Sequence, residues 1–367
     1  MARRFKLAQA RSVLGASLAL ALLGCGGGGA EETGAGLGRF VGLGDLSGGS
    51  FESNAYGISA DGSIVIGFGV GAQGEEAYHW TEAGGITGLG DLPGGEYDSL
   101  AWAISADGST ITGYAHDDTG EVAYQYRNGV MTSLGDFPGG EVDSYGYALS
   151  ADGSIVAGYG TTAEGKEAFW WSEATGLVSL GDLPGGAHDS QAYGMTPDGN
   201  VVVGWANSVQ GEEAFIWHKG GVLTGLGDFE GGAYHSRAYA VSADGRIVAG
   251  WGTTAVGEQA CLWRDGGAPI NLGDVPGGSQ ESHAYAISPD GGIVGGSARV
   301  GLIPEAFLWT MDLGMVNLRT YAQGQGVVGL NGWKLHTVNG ISQNGKVLIG
   351  YGTNPSGQKE AYRLQLP

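Results

Sequence analysis

Carboxylates recur at one position of this sequence at intervals of 45 or 46 residues. The position holds Glu52, Asp98, Asp143, Asp189 and Glu281, with His235 in the fifth copy. Hard cations such as Ca²⁺ need several oxygen ligands at once, which carboxylates supply. If the copies surround one opening, these five acids form a candidate site for Ca²⁺ or a cationic ligand. The alternative is that they are solvated or accept hydrogen bonds from loop amides.

A second set of candidates departs from the repeating pattern. His235 and Arg237 flank Ser236, and His283 takes the place of Arg237 one copy later. Trp333 and His336 lie in a later segment that is eight residues longer than its counterparts. A catalytic site in a symmetric ring must break the symmetry, because a nucleophile or acid is needed only once. These deviations therefore predict a polar ligand site with His235, Arg237, His283, Trp333 and His336 as candidate residues. Sequence drift in tolerant loops is the alternative.

Catalytic signatures are missing from the sequence. It contains no metal-spaced His/Cys set, serine-nucleophile motif, phosphate loop or dinucleotide fingerprint. We therefore name no catalytic residue and expect a binding or structural module. The alternative is a polysaccharide lyase or glycoside hydrolase with a site in a central funnel. An enzyme would gather His235, Arg237, His283 or Trp333 around a carboxylate, whereas a scaffold would leave them apart and exposed.

Three markers place these residues in one repeating element. Leu-Gly-Asp ends at Asp45, Asp91, Asp136, Asp182, Asp228 and Asp274, and Asn317-Leu318-Arg319-Thr320 is a degraded seventh copy. An Asp-Gly turn has its acid at Asp61, Asp107, Asp152, Asp198, Asp244 and Asp290, with Asn344 as the seventh. A Glu-Ala-aromatic segment ends at Trp80, Tyr126, Trp171, Trp217, Trp263 and Trp309, with Leu364 as the seventh. The Leu-Gly-Asp acids are expected to accept hydrogen bonds from their own turns.

Each repeat predicts four short strands separated by glycine turns. In the third repeat they are Tyr145–Ser150, Ser154–Tyr159, Glu167–Trp171 and Gly176–Gly181. Four strands in about 45 residues are typical of a β-propeller blade. An aromatic residue recurs on the first strand, at Tyr56, Trp102, Tyr147, Tyr193, Tyr239 and Tyr285. Because it recurs in every blade, we expect it to be core packing rather than a ligand platform.

The ends of the repeat array predict a closed ring. The first copy is only a fourth strand, Arg39–Asp45, and the last has only three, Thr337–Ser342, Lys346–Tyr351 and Glu360–Leu364. Together the two fragments make one blade, which would remove the open sheet edges. The predicted fold is all-β: a seven-bladed β-propeller of four-stranded blades over residues 39–367, closed by the N-terminal strand.

The N-terminus is predicted to be an export signal. Residues 1–24 combine basic residues with an apolar run too short to span a bilayer. The boundary Leu22-Leu23-Gly24-Cys25 resembles a bacterial lipobox, which implies cleavage before Cys25 and lipidation of its thiol. Residues 25–38 then form a Gly-rich tether. Cys261 would have no disulfide partner and is expected to be a small buried hydrophobe.

Charge narrows the range of partners. The chain has 38 acids against 17 Lys plus Arg, a net charge of −21. Such a body repels nucleic acid and anionic lipid headgroups, so we expect no nucleic-acid partner and membrane contact only through the lipid anchor. Cations, basic proteins and neutral sugars are more compatible partners. Acidity that only keeps a Gly-rich surface soluble is the alternative.

The repeat resembles the HAF repeats of bacterial extracellular proteins. The resemblance rests on Ala284-Tyr285-Ala286-Ile287-Ser288, Glu305-Ala306-Phe307-Leu308-Trp309 and the Leu-Gly-Asp-Leu-Pro-Gly-Gly loops. The His that usually precedes Ala-Phe in that family is Glu in most copies here. The resemblance implies an exported repeat protein and gives no information about an activity. We thus expect a monomeric scaffold on the cell envelope, as an outer-membrane or cell-surface lipoprotein, that binds a protein, glycan or cation through one rim.

Overall fold

The structure, a computed structural model, describes residues 38–367, and the predicted signal peptide, Cys25 and most of the tether lie outside this range. The strands of the described part and its one helix follow in chain order. They are β1 (Arg39–Gly42), β2 (Gly48–Ile58), β3 (Ile64–Gly71), β4 (Glu75–Thr81), β5 (Gly85–Gly88), β6 (Gly94–Ile104), β7 (Thr110–Asp117), β8 (Glu121–Arg127), β9 (Val130–Gly135), β10 (Tyr145–Leu149), β11 (Ile155–Thr161), β12 (Lys166–Ser172), β13 (Gly176–Gly181), β14 (Gly185–Met195), β15 (Val201–Ser208), β16 (Gly211–His218), β17 (Thr224–Gly225), β18 (Gly231–Val241), β19 (Ile247–Thr254), β20 (Gly257–Arg264), β21 (Ile270–Asn271), β22 (Ser282–Ile287), β23 (Ile293–Val300), β24 (Ile303–Thr310), β25 (Gly314–Asn317), α1 (Leu318–Gly324), β26 (Lys334–Leu335), β27 (Gly340–Ile341), β28 (Val347–Thr353) and β29 (Lys359–Gln365).

Strands pair antiparallel in chain order within each sequence repeat. We number as repeats 1 to 6 the sets β2–β5, β6–β9, β10–β13, β14–β17, β18–β21 and β22–β25. Repeat 7 consists of β26 and β27 beside β28, then β29 and β1. The all-β prediction is confirmed, and in repeat 3 the predicted strand ends agree with the structure to within two residues.

The N-terminal strand pairs with the last strand of the chain, as the divided repeat predicted. β1 runs antiparallel to β29, from the pair Arg39 and Gln365 to the pair Gly42 and Tyr362. The ring of Phe40 stacks on Tyr362 with centroids 5.4 Å apart. Beyond the strand, the Gly44 amide donates to the Glu360 carboxylate at 2.9 Å. The last repeat therefore obtains its fourth strand from the other end of the chain.

Some repeats are joined by single parallel bridges between the third strand of one repeat and the first strand of the next. Three such bridges are Glu52 to Lys359, Lys166 to Asp189 and Glu212 to His235. Followed through these bridges, the strands form sheets of nine, twelve, four and four strands. The strands are thus not arranged as seven separate sheets, and continuous sheet pairing does not run around the whole molecule.

The Asp-Gly turns join the first and second strands within each repeat. In repeat 3, Asp152 Oδ1 accepts from the Ser150 hydroxyl at 2.6 Å and from the Ser154 amide at 3.0 Å. Gly153 follows with φ 70°, a left-handed conformation that favours glycine. Successive turns also touch, because the Ala106 amide donates to the Ala151 carbonyl at 2.9 Å. The corresponding bond from Gln343 to the Ala60 carbonyl links repeat 7 to repeat 1 at 3.0 Å.

Large side chains of the second and third strands form the core between repeats. An aromatic residue also recurs on the second strand; Phe68, Tyr159, Trp205 and Trp251 are buried, and Tyr114 and Tyr351 are half-buried. Cys261 is fully buried and unpaired, which confirms its expected role as a small hydrophobe. In the described residues, α1 is too short and too polar to cross a membrane.

Candidate functional site

The recurring aromatic of the first strand sits on a β-bulge. In repeat 1 the pairing of β2 with β3 passes from Ala55–Gly67 to Gly57–Ile66, so Tyr56 has no partner. The same jump skips Trp102, Tyr147, Tyr193, Tyr239 and Tyr285. A bulge bends the strand and re-aims the side chain of its extra residue. The bulge therefore aims these six aromatics differently from the paired residues of the same strands.

These six aromatics line one cavity of about 500 Å³. Each ring contacts the next, with centroid distances from 4.2 Å (Tyr56 to Trp102) to 5.4 Å (Tyr239 to Tyr285). Asn339 and Tyr351 of repeat 7 complete the lining with Thr337. We call this space the aromatic cavity. The expectation that these residues are only core packing is wrong, because the bulge turns half-buried rings toward an open space.

Burial and nearby carboxylates keep the tyrosines of the aromatic cavity protonated. Burial, with carboxylates nearby, raises the pKa of Tyr56, Tyr147 and Tyr285 well above the ordinary range. The pKa of Tyr193 is raised less, to about 12, since a hydrogen bond from Trp205 and the charge of Arg237 oppose the rise. The carboxylates responsible are Glu52, Glu75, Asp143, Asp189, Glu258 and Glu281. All these tyrosines are neutral hydroxyl groups at neutral pH.

The five acids proposed as metal ligands each have a protein partner. Glu52 pairs with Lys359 at 2.9 Å, and Asp143 with Lys166 at 3.0 Å. The other contacts are Asp98 to His116 at 3.7 Å, Glu281 to Arg299 at 3.2 Å and Asp189 to Gln191 at 3.4 Å. Within residues 38–367, no group of three or more His, Cys, Asp or Glu side chains is placed to hold a metal ion.

Three of the five ligand candidates come together. His235 Nε2 and Arg237 Nη2 both contact Glu212 Oε2, at 2.7 and 2.6 Å. The ring centroid of Trp251 lies 4.6 Å from that of His235, 5.0 Å from that of His283 and 6.0 Å from the Arg237 guanidinium carbon. Repeats 5 and 6 therefore place two imidazoles and one guanidinium around a single indole.

His283 links a carboxylate to the aromatic cavity. Its Nε2 lies 2.7 Å from Glu258 Oε2, and its Nδ1 lies 3.2 Å from the Tyr285 hydroxyl. Burial lowers the pKa of His283 even though Glu258 opposes the shift. A second cavity of about 220 Å³, lined by Glu281 and Arg299, adjoins this series. The half-buried His283 therefore contacts a carboxylate through one ring nitrogen and a phenol of the aromatic cavity through the other.

The remaining two ligand candidates lie elsewhere in the fold. Trp333 is 7% exposed and packs against Phe40 with ring centroids 4.8 Å apart. His336 Nδ1 lies 2.8 Å from the Pro304 carbonyl oxygen, and its Nε2 lies 2.7 Å from the Thr353 hydroxyl. Trp333 thus contributes to the core of repeat 7, while His336 joins repeat 7 to repeat 6.

The Leu-Gly-Asp acids accept backbone hydrogen bonds, as predicted. Asp136 Oδ2 accepts from the Asp143 amide at 2.8 Å, and its Oδ1 accepts from Phe137 and Thr161 at 2.7 and 2.9 Å. These acids hold the segment that leads into each first strand. Burial raises the pKa of Asp136 despite the three donors.

A buried serine that sequence reasoning missed connects each repeat to the preceding one. Ser190 Oγ donates to the Gly181 carbonyl at 2.8 Å and accepts from the Ala168 amide at 2.9 Å. Ser53, Ser99, Ser144, Ser236 and Ser282 form the same pair of bonds. The serine follows the position of the recurring acid in all six of these copies, and this repetition was the available signal.

Comparison with known proteins shows the fold. No protein-family sequence profile and no curated protein matches this chain. Oligogalacturonate lyase from Vibrio parahaemolyticus is similar in structure, with a TM-score of 0.55, 10% identity and coverage of 90% of this chain and 97% of the lyase. The β-propeller domain of the Trilobed protease from Pyrococcus furiosus gives a TM-score of 0.53 at 12% identity, covering 87% of this chain and 95% of that domain.

TolB from Acinetobacter baumannii is a weaker likeness. Its TM-score is 0.47 at 14% identity, over 72% of this chain. The chain spans 61% of the length of that TolB. At these identities the comparisons define the architecture alone, which is all-β and propeller-like.

Proposed function

We propose that this chain is an exported binding scaffold whose aromatic cavity takes a cationic ligand of the ammonium type. The proposal rests above all on the six bulge aromatics, which come from six equivalent strands and line one cavity. The fold that supports it is a closed ring of seven four-stranded blades. The pairing of β1 with β29 and the bond from Gln343 to Ala60 favour such closure.

Aromatic faces attract cations through the ring quadrupole, and the attraction strengthens as the cation is desolvated. Burial is the main cause of the raised pKa of the cavity tyrosines, and the negative charge of nearby carboxylates adds to it. The same negative charge would favour a cation. Glu75 adds to the rise in the pKa of Tyr56 and forms no ion pair with a described residue, although burial raises its own pKa and so favours its neutral form. A neutral sugar would gain stacking but none of the charge attraction.

Calorimetric titration with choline tests the ligand class, with 3,3-dimethylbutanol as its uncharged isostere. We expect choline to bind at least about tenfold more tightly than the alcohol. Tyr147→Ala should weaken choline binding about tenfold, and Glu75→Gln about two- to fivefold. Glu173→Gln changes the net charge equally at an exposed position remote from the cavity, so it should bind like the unaltered chain.

Other outcomes would decide between the remaining partners. Equal binding of choline and the alcohol would contradict a cation site, and selective signals on a glycan array would replace it with a sugar site. A Ca²⁺ titration followed by thermal melting tests the metal hypothesis at Glu52, Asp98, Asp143, Asp189 and Glu281. Absence of a melting shift would remove that hypothesis.

The location of the scaffold is proposed from the N-terminal sequence. Export, cleavage before Cys25 and lipidation would tether a HAF-like, monomeric domain to the bacterial envelope, at the outer membrane or cell surface. Metabolic labelling with a fatty acid should mark the protein and should fail for Cys25→Ser. Labelling that persists in the serine variant would contradict the anchor.

A lyase or hydrolase is the second candidate function, because the series Glu258–His283–Tyr285 reaches the aromatic cavity. A neutral His283 beside a carboxylate suits general acid–base chemistry. Incubation with acidic and neutral oligosaccharides, followed by chromatography of the products, tests for cleavage. Cleavage that is lost in His283→Gln and retained in His218→Gln, an exposed position on β16, would replace the scaffold with the enzyme.

A further inference from the structure

A cleft between repeats 6 and 7 departs from the rest of the molecule in its charge. It encloses about 600 Å³ and lies beside α1, the helix inserted between β25 and β26. Ile303, Pro304 and Val316 supply apolar lining, and Arg319, Tyr321 and Lys334 supply polar groups. None of these residues contributes to the lining of the aromatic cavity.

Arg319 stands where the other repeats have the glycine of Leu-Gly-Asp, and Thr320 stands where they have the aspartate. The glycines Gly90 and Gly273 adopt φ of 80° and 82°, which disfavours side chains. In repeat 6 the turn is replaced by α1, with Asn317 as N-cap accepting from the Thr320 amide at 3.0 Å. The helix therefore allows an arginine at this position and removes the acid that follows it.

The two cleft cations have no partner among the described residues. Arg319 and Lys334 take part in none of the ion pairs that other bases form in residues 38–367. The Nε atom of Arg319 is buried and has no acceptor. A cleft lined by two cations that lack carboxylate partners in the described part of the chain favours a negatively charged ligand.

Glu305 also lines the cleft, and its carboxylate has a structural task. It accepts from Asn317 Nδ2 at 2.5 Å, next to the start of α1. In other repeats the equivalent glutamates hold the glycine amide of the loop, as Glu76 does for Gly90 at 3.0 Å and Glu213 for Gly227 at 3.1 Å. The carboxylate of Glu305 thus already holds a hydrogen bond from the start of α1. It is the carboxylate that shares the cleft with the cations Arg319 and Lys334.

We infer that this cleft binds a monoanionic carboxylate that carries an apolar tail. Arg319 would present its guanidinium to the carboxylate, with Lys334 as the second charge and the Tyr321 hydroxyl as a further donor. The tail would lie against Ile303, Pro304 and Val316. A single negative charge fits better than the double charge of a phosphate, because the whole chain carries −21 and repels each added negative charge.

Calorimetric titration of the full chain with acetate, butyrate and hexanoate at constant ionic strength tests this inference. We expect affinity to rise by up to about fourfold for each added methylene that is buried. Arg319→Gln should weaken hexanoate binding at least about tenfold, and Lys334→Gln about threefold. Arg246→Gln removes a base that pairs with Asp265 on repeat 5, so it is the matched control and should bind unchanged.

The result is independent of the aromatic cavity, since Tyr147→Ala should leave hexanoate binding intact. Lys334 is exposed on β26, so Lys334→Gln keeps the test valid if Arg319→Gln does not fold. The inference is overturned if hexanoate fails to bind, if both cleft variants bind like Arg246→Gln, or if hexylammonium or 1-hexanol binds as tightly. Tighter binding of inorganic phosphate than of hexanoate would overturn the choice of a monoanion.

Discussion

Two kinds of aspartate recur in the turns of the repeats, and the pKa is raised at five Leu-Gly-Asp positions but lowered at the Asp-Gly positions. Asp136 of the Leu-Gly-Asp loop is half-buried, and burial raises its pKa above the ordinary 3.8. Asp152 of the Asp-Gly turn is exposed, and hydrogen bonds from Ser150 and Ser154 lower its pKa to about 2. Both carboxylates accept backbone amides. The two positions therefore differ in solvation. Burial makes ionisation of Asp136 unfavourable, whereas the ionised form of the exposed Asp152 is stabilised by its hydrogen bonds.

The two positions also differ in reach. Asp136 fixes the amide of Asp143 seven residues later and that of Thr161 on β11, so it holds the entry to a first strand. Asp152 bonds only within residues 150–154. The loops at the Leu-Gly-Asp end therefore position the strands that carry the aromatic cavity, whereas the Asp-Gly turns are local structures.

The strongest way to disturb the Leu-Gly-Asp end is to remove one loop with its strand. Deleting residues 39–45 removes β1 and the buried side chains of Phe40 and Leu43. It also removes the hydrogen bond from the Gly44 amide to the Glu360 carboxylate. We expect a loss of at least about 4 kcal/mol in the free energy of unfolding, because two large buried side chains are lost. Urea denaturation measures this loss, and size-exclusion chromatography should show association through the exposed edge of β29.

Deletion of residues 26–36, in the Gly-rich tether, is the control for that experiment. It should leave the free energy of unfolding unchanged. Equal destabilisation by the two deletions would show that closure by β1 does not hold the molecule together. It would also contradict the role assigned to the first Leu-Gly-Asp loop.

A smaller change separates the two aspartates directly. Asp136→Ala removes the acceptor of three backbone amides and leaves them partly buried, which should cost about 2–4 kcal/mol. Asp152→Ala frees groups that water can reach, so its cost should be half of that or less. Urea denaturation of both variants gives the comparison. Equal costs would mean that the two turns contribute alike, against the difference in burial.

The strands and both aspartate roles were predictable because they rest on local chemistry. An Asp-Gly pair defines its turn within five residues, and repetition confirms each copy. The direction of Tyr56 or Trp102 was not predictable, because the bulge exists only in the pairing of two strands. The bonds of Ser190 were hidden for a related reason, since both partners lie in the preceding repeat.

The sequence of the segment after β25 contains a signal for a helix. Its greater length suggested an irregular loop, but the structure places α1 there. Asn317 is a favourable N-cap residue, and no glycine follows until Gly324, where the helix ends. The clustering of His235, Arg237 and His283 could not be read from spacing alone, because Trp251, which joins them, lies on another strand.

The smallest expected effect is on the pH dependence of stability, and it tests the sign of each shift. Five Leu-Gly-Asp acids have a folded pKa above the unfolded value: Asp45, Asp91, Asp136, Asp182 and Asp228. Their protonation favours the folded state, so stability rises as the pH falls from 7 toward 3.8. For the Asp-Gly acids the folded pKa is depressed, so their contribution is present above 3.8 and is lost as the pH falls toward about 2.

The free energy of unfolding should therefore pass through a maximum near pH 4, measured by urea denaturation at constant ionic strength. Asp136→Asn removes a carboxyl whose pKa is raised and should flatten the rise in stability between pH 7 and pH 4. Asp152→Asn removes a carboxyl whose pKa is lowered and should flatten the fall in stability below pH 4 instead. Each variant should change the stability curve on a different side of pH 4. If Asp136→Asn flattened the fall below pH 4 and Asp152→Asn flattened the rise above it, the assignment of burial to one loop and solvation to the other would be reversed.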